Sequence, residues 1–134
     1  MRAACQPGAV TATSHPVETI NAVTLFTADM GAAVEFYRAL GFELLSGGPD
    51  RAFTTFRAGD SFLNLQLDPG HAPINEIWGR VIFWVADVDD VHARARSAGY
   101  EPSTAPADAT WGERYFHIKD QDGHELSFAR PLSR

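Results

Sequence analysis

One pattern is written twice in this chain, at an offset of 58 residues and without a gap. Ala22-Val-Thr-Leu-Phe-Thr-Ala-Asp-Met30 runs on to Leu40-Gly41-Phe42, and Arg80-Val-Ile-Phe-Trp-Val-Ala-Asp-Val88 runs on to Ala98-Gly99-Tyr100. Ala28 matches Ala86, Asp29 matches Asp87 and Gly41 matches Gly99, while Phe26 falls on Trp84 and Phe42 on Tyr100. A repeat of this kind implies a duplicated supersecondary unit, and two such units create a cleft whose polar groups set the function.

Within each copy the hydrophobic period changes. Val23, Leu25 and Thr27 alternate with Ala22, Thr24 and Phe26, which predicts a strand over about 20–27. From Met30 the apolar positions Ala33, Phe36, Tyr37 and Leu40 follow helical spacing, with Asp29 as N-cap and Gly41 just beyond the C-terminus. Residues 42–45, 52–57 and 61–67 read as three further strands separated by Gly47-Gly-Pro-Asp50 and Ala58-Gly-Asp60, completing a βαβββ unit. The second copy predicts a strand at 80–85, a helix at 88–98, a short strand near Tyr100 and strands at 115–118 and 125–129, the last two joined by the turn Asp120-Gln-Asp-Gly123. The expected organisation is an arm over 1–18 and a single domain over 19–132, made of module 19–68, linker 69–77 and module 78–132.

At 134 residues the chain has room for one core, and its 45% hydrophobic and 21% charged residues are ordinary for a globular protein. No apolar run approaches the roughly 20 residues of a membrane span, so no membrane partner is expected. A net charge of −6 and a single lysine, Lys119, argue against nucleic acid. The lone Cys5 excludes an internal disulfide and fits a reducing cytoplasm; residues 1–16 lack the basic start and apolar stretch of a secretory signal.

Phe36-Tyr-Arg-Ala-Leu-Gly-Phe42 resembles the FYxxxLGF signature of the vicinal oxygen chelate superfamily, the glyoxalase, bleomycin resistance and dioxygenase group. Asp120-Gln-Asp-Gly-His-Glu-Leu-Ser-Phe128 is similar to its closing DPDGxxxEL motif, with Gln121 in place of proline. The resemblance covers about 20–132. It implies an α+β fold of two tandem βαβββ modules forming a curved mixed sheet around a central cleft, and a homodimer as the usual assembly.

Strand parity sends Val23, Leu25, Leu63, Leu65, Leu67, Val81, Phe83, Val85, Leu126 and Phe128 toward the helices. Their alternates then line the cleft. From the first module these include Thr24, Phe26, Phe62, Asn64 and Gln66; from the second, Arg80, Trp84, Glu125 and Ser127. Trp111 is expected on a movable rim, with Tyr115 and His117 beside it. Aromatic walls with few polar groups suit a small organic ligand. The metal positions implied by the resemblance fall on Ala22, Arg80, Ser127 and Gln66, a set with one missing donor, one cation and two weak neutral oxygens, so neither metal nor other cofactor is expected. Arg80 either holds an anionic ligand oxygen or pairs internally with Glu125. Of the histidines, His15 is in the arm, His71 in the linker, His92 on the expected solvent side of the second helix, and His124 follows the turn glycine. His117 is read as a hydrogen-bonded structural residue rather than a ligand.

Three functions stay open: metal-free sequestration of an antibiotic or aromatic metabolite; a metal-independent enzyme using Arg80 with Glu125 or His117; and, ranked last, a metal-dependent lyase, transferase or dioxygenase. No nucleophile triad, phosphate-cradling loop or dinucleotide fingerprint is present.

Overall fold

The computed structural model describes residues 14–133; most of the expected N-terminal arm, including Cys5, lies outside them. Strand β1 (Ala22–Thr27) leads into helix α1 (Met30–Ala39), and β2 (Glu43–Ser46), β3 (Phe53–Ala58) and β4 (Ser61–Leu67) follow. The second unit repeats the order with β5 (Val81–Trp84), α2 (Val88–Ser97), β6 (Ala107–Asp108), β7 (Glu113–Lys119) and β8 (Glu125–Pro131). Each unit is a four-stranded mixed sheet, ordered β1-β4-β3-β2 and β5-β8-β7-β6. In both, the opening strand pairs parallel with the last and sits at the edge.

The repeat is reproduced down to its caps. Asp29 accepts from the Ala32 N–H and Asp87 from the Asp90 N–H, both at 3.1 Å, and Gly41 and Gly99 follow the helices with φ of 107° and 94°. The expected strand at Tyr100 is absent. Tyr100 instead sets its ring edge-on to Phe36 at 4.8 Å, and the strand forms later, at Ala107–Asp108, beyond Pro102 and Pro106. A proline has no N–H to donate to a ladder, which keeps 102–106 out of the sheet.

The two sheets share one core. Leu25, Leu63, Leu65, Leu126 and Phe128 are buried in a single cluster with α1 and α2, while Val23, Leu67, Val81, Phe83 and Val85 pack against it, as parity requires. Phe42 bridges the units, meeting Phe83 at 5.0 Å and Phe128 at 6.1 Å. Because the helical sides of both sheets are spent on this core, their opposite faces point outward. Among the described residues no helix is long and apolar enough to cross a membrane.

Candidate functional site

Register converts each outward face into rows of three side chains across neighbouring strands. On the first sheet the rows are Ala22–Phe62–Arg57, Thr24–Asn64–Thr55 and Phe26–Gln66–Phe53. The second sheet sets Lys119 beside Glu125, with Arg80 one residue before β5 on the other side; its next rows are Ile82–Ser127–His117 and Trp84–Ala129–Tyr115.

The first face closes on itself. Thr55 donates to Asn64 Oδ1 at 2.8 Å and Asn64 Nδ2 donates to Thr24 at 3.2 Å, so the central polar row is internally bonded. Phe26 and Phe53 stay 42% and 45% exposed beside it.

On the second face Arg80 Nε donates to Glu125 Oε2 at 2.8 Å, and Nη2 donates to the same oxygen. The pair is lopsided: the Arg80 side chain is 40% exposed and that of Glu125 only 7%. His117 lies close enough to feel both. Burial lowers its imidazole below the usual histidine range, Arg80 lowers it further, and Glu125 partly opposes them. Its Nδ1 is buried without a hydrogen-bond partner, so the hydrogen bonding expected of a structural histidine is not met at that nitrogen. The ring instead sits 5.0 Å from Tyr115, which stacks on Trp111 at 5.7 Å, forming an aromatic run along β7. Trp111 is tied back by an indole hydrogen bond to Glu113 at 3.2 Å.

A groove of about 980 Å³ runs between the edges carrying β1 and β5, floored by core residues such as Leu63 and Phe128. Of the expected site residues it gathers Phe62, Arg80 and Trp84. Thr24, Phe26, Asn64 and Gln66 remain on the first face, and Trp111, Tyr115, His117, Glu125 and Ser127 on the second. Lys119 and Ala129 belong to that second face and were not singled out from the sequence, although each stands two positions from an expected site residue on its own strand.

The Asp120–Gly123 turn does more than reverse the chain. Asp120 accepts the Tyr37 hydroxyl at 2.6 Å, and Asp122 accepts the Ala28 N–H through its side chain and the Ile74 N–H through its carbonyl. His124 Nδ1 accepts the Trp78 indole N–H at 3.1 Å, which places the proton on Nε2 for the 2.9 Å bond to the Phe26 carbonyl. Four segments are bolted here. His71 packs its ring 6.0 Å from His124, so the linker histidine is part of this cluster. His92 sets its ring edge-on to Phe116 at 5.1 Å, a correction to the expected solvent-facing position.

The metal positions implied by the motifs do not fit a divalent ion. Ala22 offers no donor, and Glu125, the carboxylate nearest the equivalent position, is held by the Arg80 cation. Register sets Gln66 beside Phe26, four residues along the sheet from Ala22, so these two do not converge. Among the described residues no cluster of three or more His, Cys, Asp or Glu side chains is placed to hold a metal.

No curated protein matches the chain. Solved structures do. TioX from Micromonospora sp. ML1 is 27% identical, with 86% of this chain and 100% of that one covered and a TM-score of 0.68. A glyoxalase/bleomycin resistance protein/dioxygenase from Nocardioides is 25% identical over 95% and 90% of the two chains, with a TM-score of 0.68. A bleomycin-binding protein complexed with bleomycin shares the fold at 21% identity, covering 85% of this chain and 98% of that one with a TM-score of 0.65. The family model for the Glyoxalase/Bleomycin resistance protein/Dioxygenase superfamily matches residues 19–128. With the duplicated units, their strand order and this match in agreement, the chain belongs to the glyoxalase/bleomycin resistance protein/dioxygenase superfamily.

Proposed function

We propose that this protein binds a small aromatic organic molecule without a metal, either sequestering an antibiotic or holding an aromatic metabolite, in a reducing cytoplasm. The observation that carries the reading is the Arg80–Glu125 pair: a cation occupies a position where a metalloenzyme needs a donor, and it engages the neighbouring carboxylate. Exposed aromatics supply the complementary apolar area, with Trp84 at 59% and Trp111 at 68% exposure. The likeness to a bleomycin-binding protein supports the reading to the extent that this architecture can accommodate a bulky organic ligand.

The assembly is a homodimer in which a second copy covers the open edge of β1. Exposed Ile20 and Phe26, beside and on β1, fit such a cover. Sedimentation equilibrium is expected to give twice the chain mass, and a monomer at all concentrations would refute it.

One observation favours a second reading. His117, whose Nδ1 lacks a hydrogen-bond partner and whose imidazole is held below the usual histidine range by burial and by Arg80, has the character of a general base, with Arg80 placed to hold a developing oxyanion. Elemental analysis after incubation with Zn, Ni, Mn or Fe(II) tests the main proposal. Less than about a tenth of an equivalent per chain is expected, on the reasoning that a site needs about three protein donors. One tightly held equivalent overturns the metal-free reading. Turnover lost in Arg80→Ala with ligand binding kept supports the enzyme instead.

A further inference from the structure

We infer that the second face selects a flat, fused-ring ligand carrying an acidic group, with its rings over the Trp84–Ala129–Tyr115 row and its anionic oxygen at Arg80. The inference rests on the small-molecule reading and specifies the ligand's charge and shape.

The face is polar along its length. At one end Arg80 and Lys119 flank the single carboxylate of Glu125, leaving one net positive charge across three neighbouring strands. Both Arg80 bonds fall on Glu125 Oε2, so the outer edge of a 40% exposed guanidinium still presents N–H groups to the groove. At the other end stand Trp84, Tyr115 and Trp111, with Glu113 beyond them. That carboxylate disfavours the reverse orientation of an anionic ligand.

Depth sets the ligand's shape. The strand between the walls carries Glu125, Ser127 and Ala129, which are 6%, 4% and 1% exposed, so the flanking side chains lean over it and the surface is a platform. Ala129 is nonetheless absent from the hydrophobic core cluster that includes its neighbour Phe128. From Trp84 to Arg80 is four residues of extended chain, about 13 Å. Less the reach of the arginine side chain, that is the length of two fused rings. His117 lies between the two ends, beside the path of the ligand.

Isothermal titration calorimetry with three probes of one shape tests this: 2-naphthoate, 2-naphthamide and 2-naphthylmethylammonium. Naphthoate is expected to bind at least tenfold more tightly than the amide, and the ammonium compound most weakly. Arg80→Gln is expected to weaken naphthoate at least tenfold, to the level of the amide or below it because Glu125 is then unpaired, with a much smaller effect on the amide. Exposed Lys119→Gln, which cannot disturb the core, is expected to weaken naphthoate about threefold and reduce its salt dependence. Equal affinity for the three probes, or an Arg80→Gln loss shared by all of them, overturns the inference while small-molecule binding stands. Binding of none overturns both. A second copy is the competing occupant, and naphthoate affinity that falls as protein concentration rises through dimerisation assigns the platform to the self-interface and overturns the inference.

Discussion

Compared row by row, the two outward faces share a backbone and almost nothing else. Where the first sheet has Ala22, Phe62 and Arg57, the second has Arg80, Glu125 and Lys119; Thr24, Asn64 and Thr55 correspond to Ile82, Ser127 and His117. The first set is neutral at its centre and mutually hydrogen-bonded, whereas the second is ionic and leaves His117 Nδ1 without a partner. Duplication therefore preserved the backbone geometry while the side chains on the two faces diverged. The turns differ in the same way. Ala58-Gly-Asp60 is a surface hairpin, while Asp120–Gly123 reaches into the first module through Tyr37, whose counterpart in the repeat is Ala95.

The sharpest way to break this asymmetry is to make one substitution in both turns. At Gly123, with φ of 94°, an added Cβ would lie 2.4 Å from the Ile74 carbonyl oxygen. Gly123→Ala is expected to cost about 3–4 kcal/mol by urea denaturation, combining left-handed strain with a backbone collision. Gly59 has φ of 63° and no atom within 4 Å of such a Cβ. Gly59→Ala is expected to cost about 1 kcal/mol, the strain alone. Equal losses would show that the second turn is no more embedded than the first.

Next in size is Tyr37→Phe, which leaves a lone pair of buried Asp120 without its donor and is expected to cost about 2 kcal/mol. The same carboxyl gives a pH test. Burial raises Asp120 above its ordinary 3.8 despite the bond from Tyr37. The native state thus holds this proton more tightly than the unfolded chain, and its contribution declines as pH rises from 3.8 through the native value. Asp120→Asn is expected to flatten that decline in thermal unfolding.

The Arg80–Glu125 pair is expected to respond unequally to loss of either partner. Arg80→Gln strands a carboxylate that is 7% exposed and is expected to cost about 2 kcal/mol. Glu125→Gln frees a half-solvated guanidinium and is expected to cost about 0.5 kcal/mol. Equal costs would show that the pair is effectively a surface one. The smallest effect belongs to His117. Its lowered imidazole means that the unfolded chain takes up the proton first, so stability falls as pH drops below about 6.5. His117→Gln is expected to soften that fall, and an unchanged slope would remove His117 as its source.

Much of this was written in the sequence because it is local. The caps at Asp29 and Asp87 and the burial of alternate strand residues depend on spacing alone. Parity put Arg80 and Glu125 on one face, which left their pairing as one of two alternatives; the structure shows the pair. What depends on distant segments was not legible. Asp120 looked like a turn residue because nothing near it in sequence announces Tyr37, 83 positions away. His92 looked solvent-facing because helical spacing does not reveal that Phe116 on β7 rises to meet it. The division of the site residues between two outward faces likewise follows from how the two sheets share one core, and no periodicity in either module encodes that.

The bolt at Asp120–His124 also dictates an order of events during synthesis. Tyr37 and the Ala28 N–H belong to the first module, yet their partners Asp120 and Asp122 lie 83 and 94 residues downstream. At about 5–20 residues per second, a nascent chain waits roughly 4–17 s between making the tyrosine and making its acceptor. Throughout that interval α1 lacks the second-module side chains of the core it will share and its tyrosine hydroxyl can bond only water, so the finished first module depends on a segment made 83 residues later.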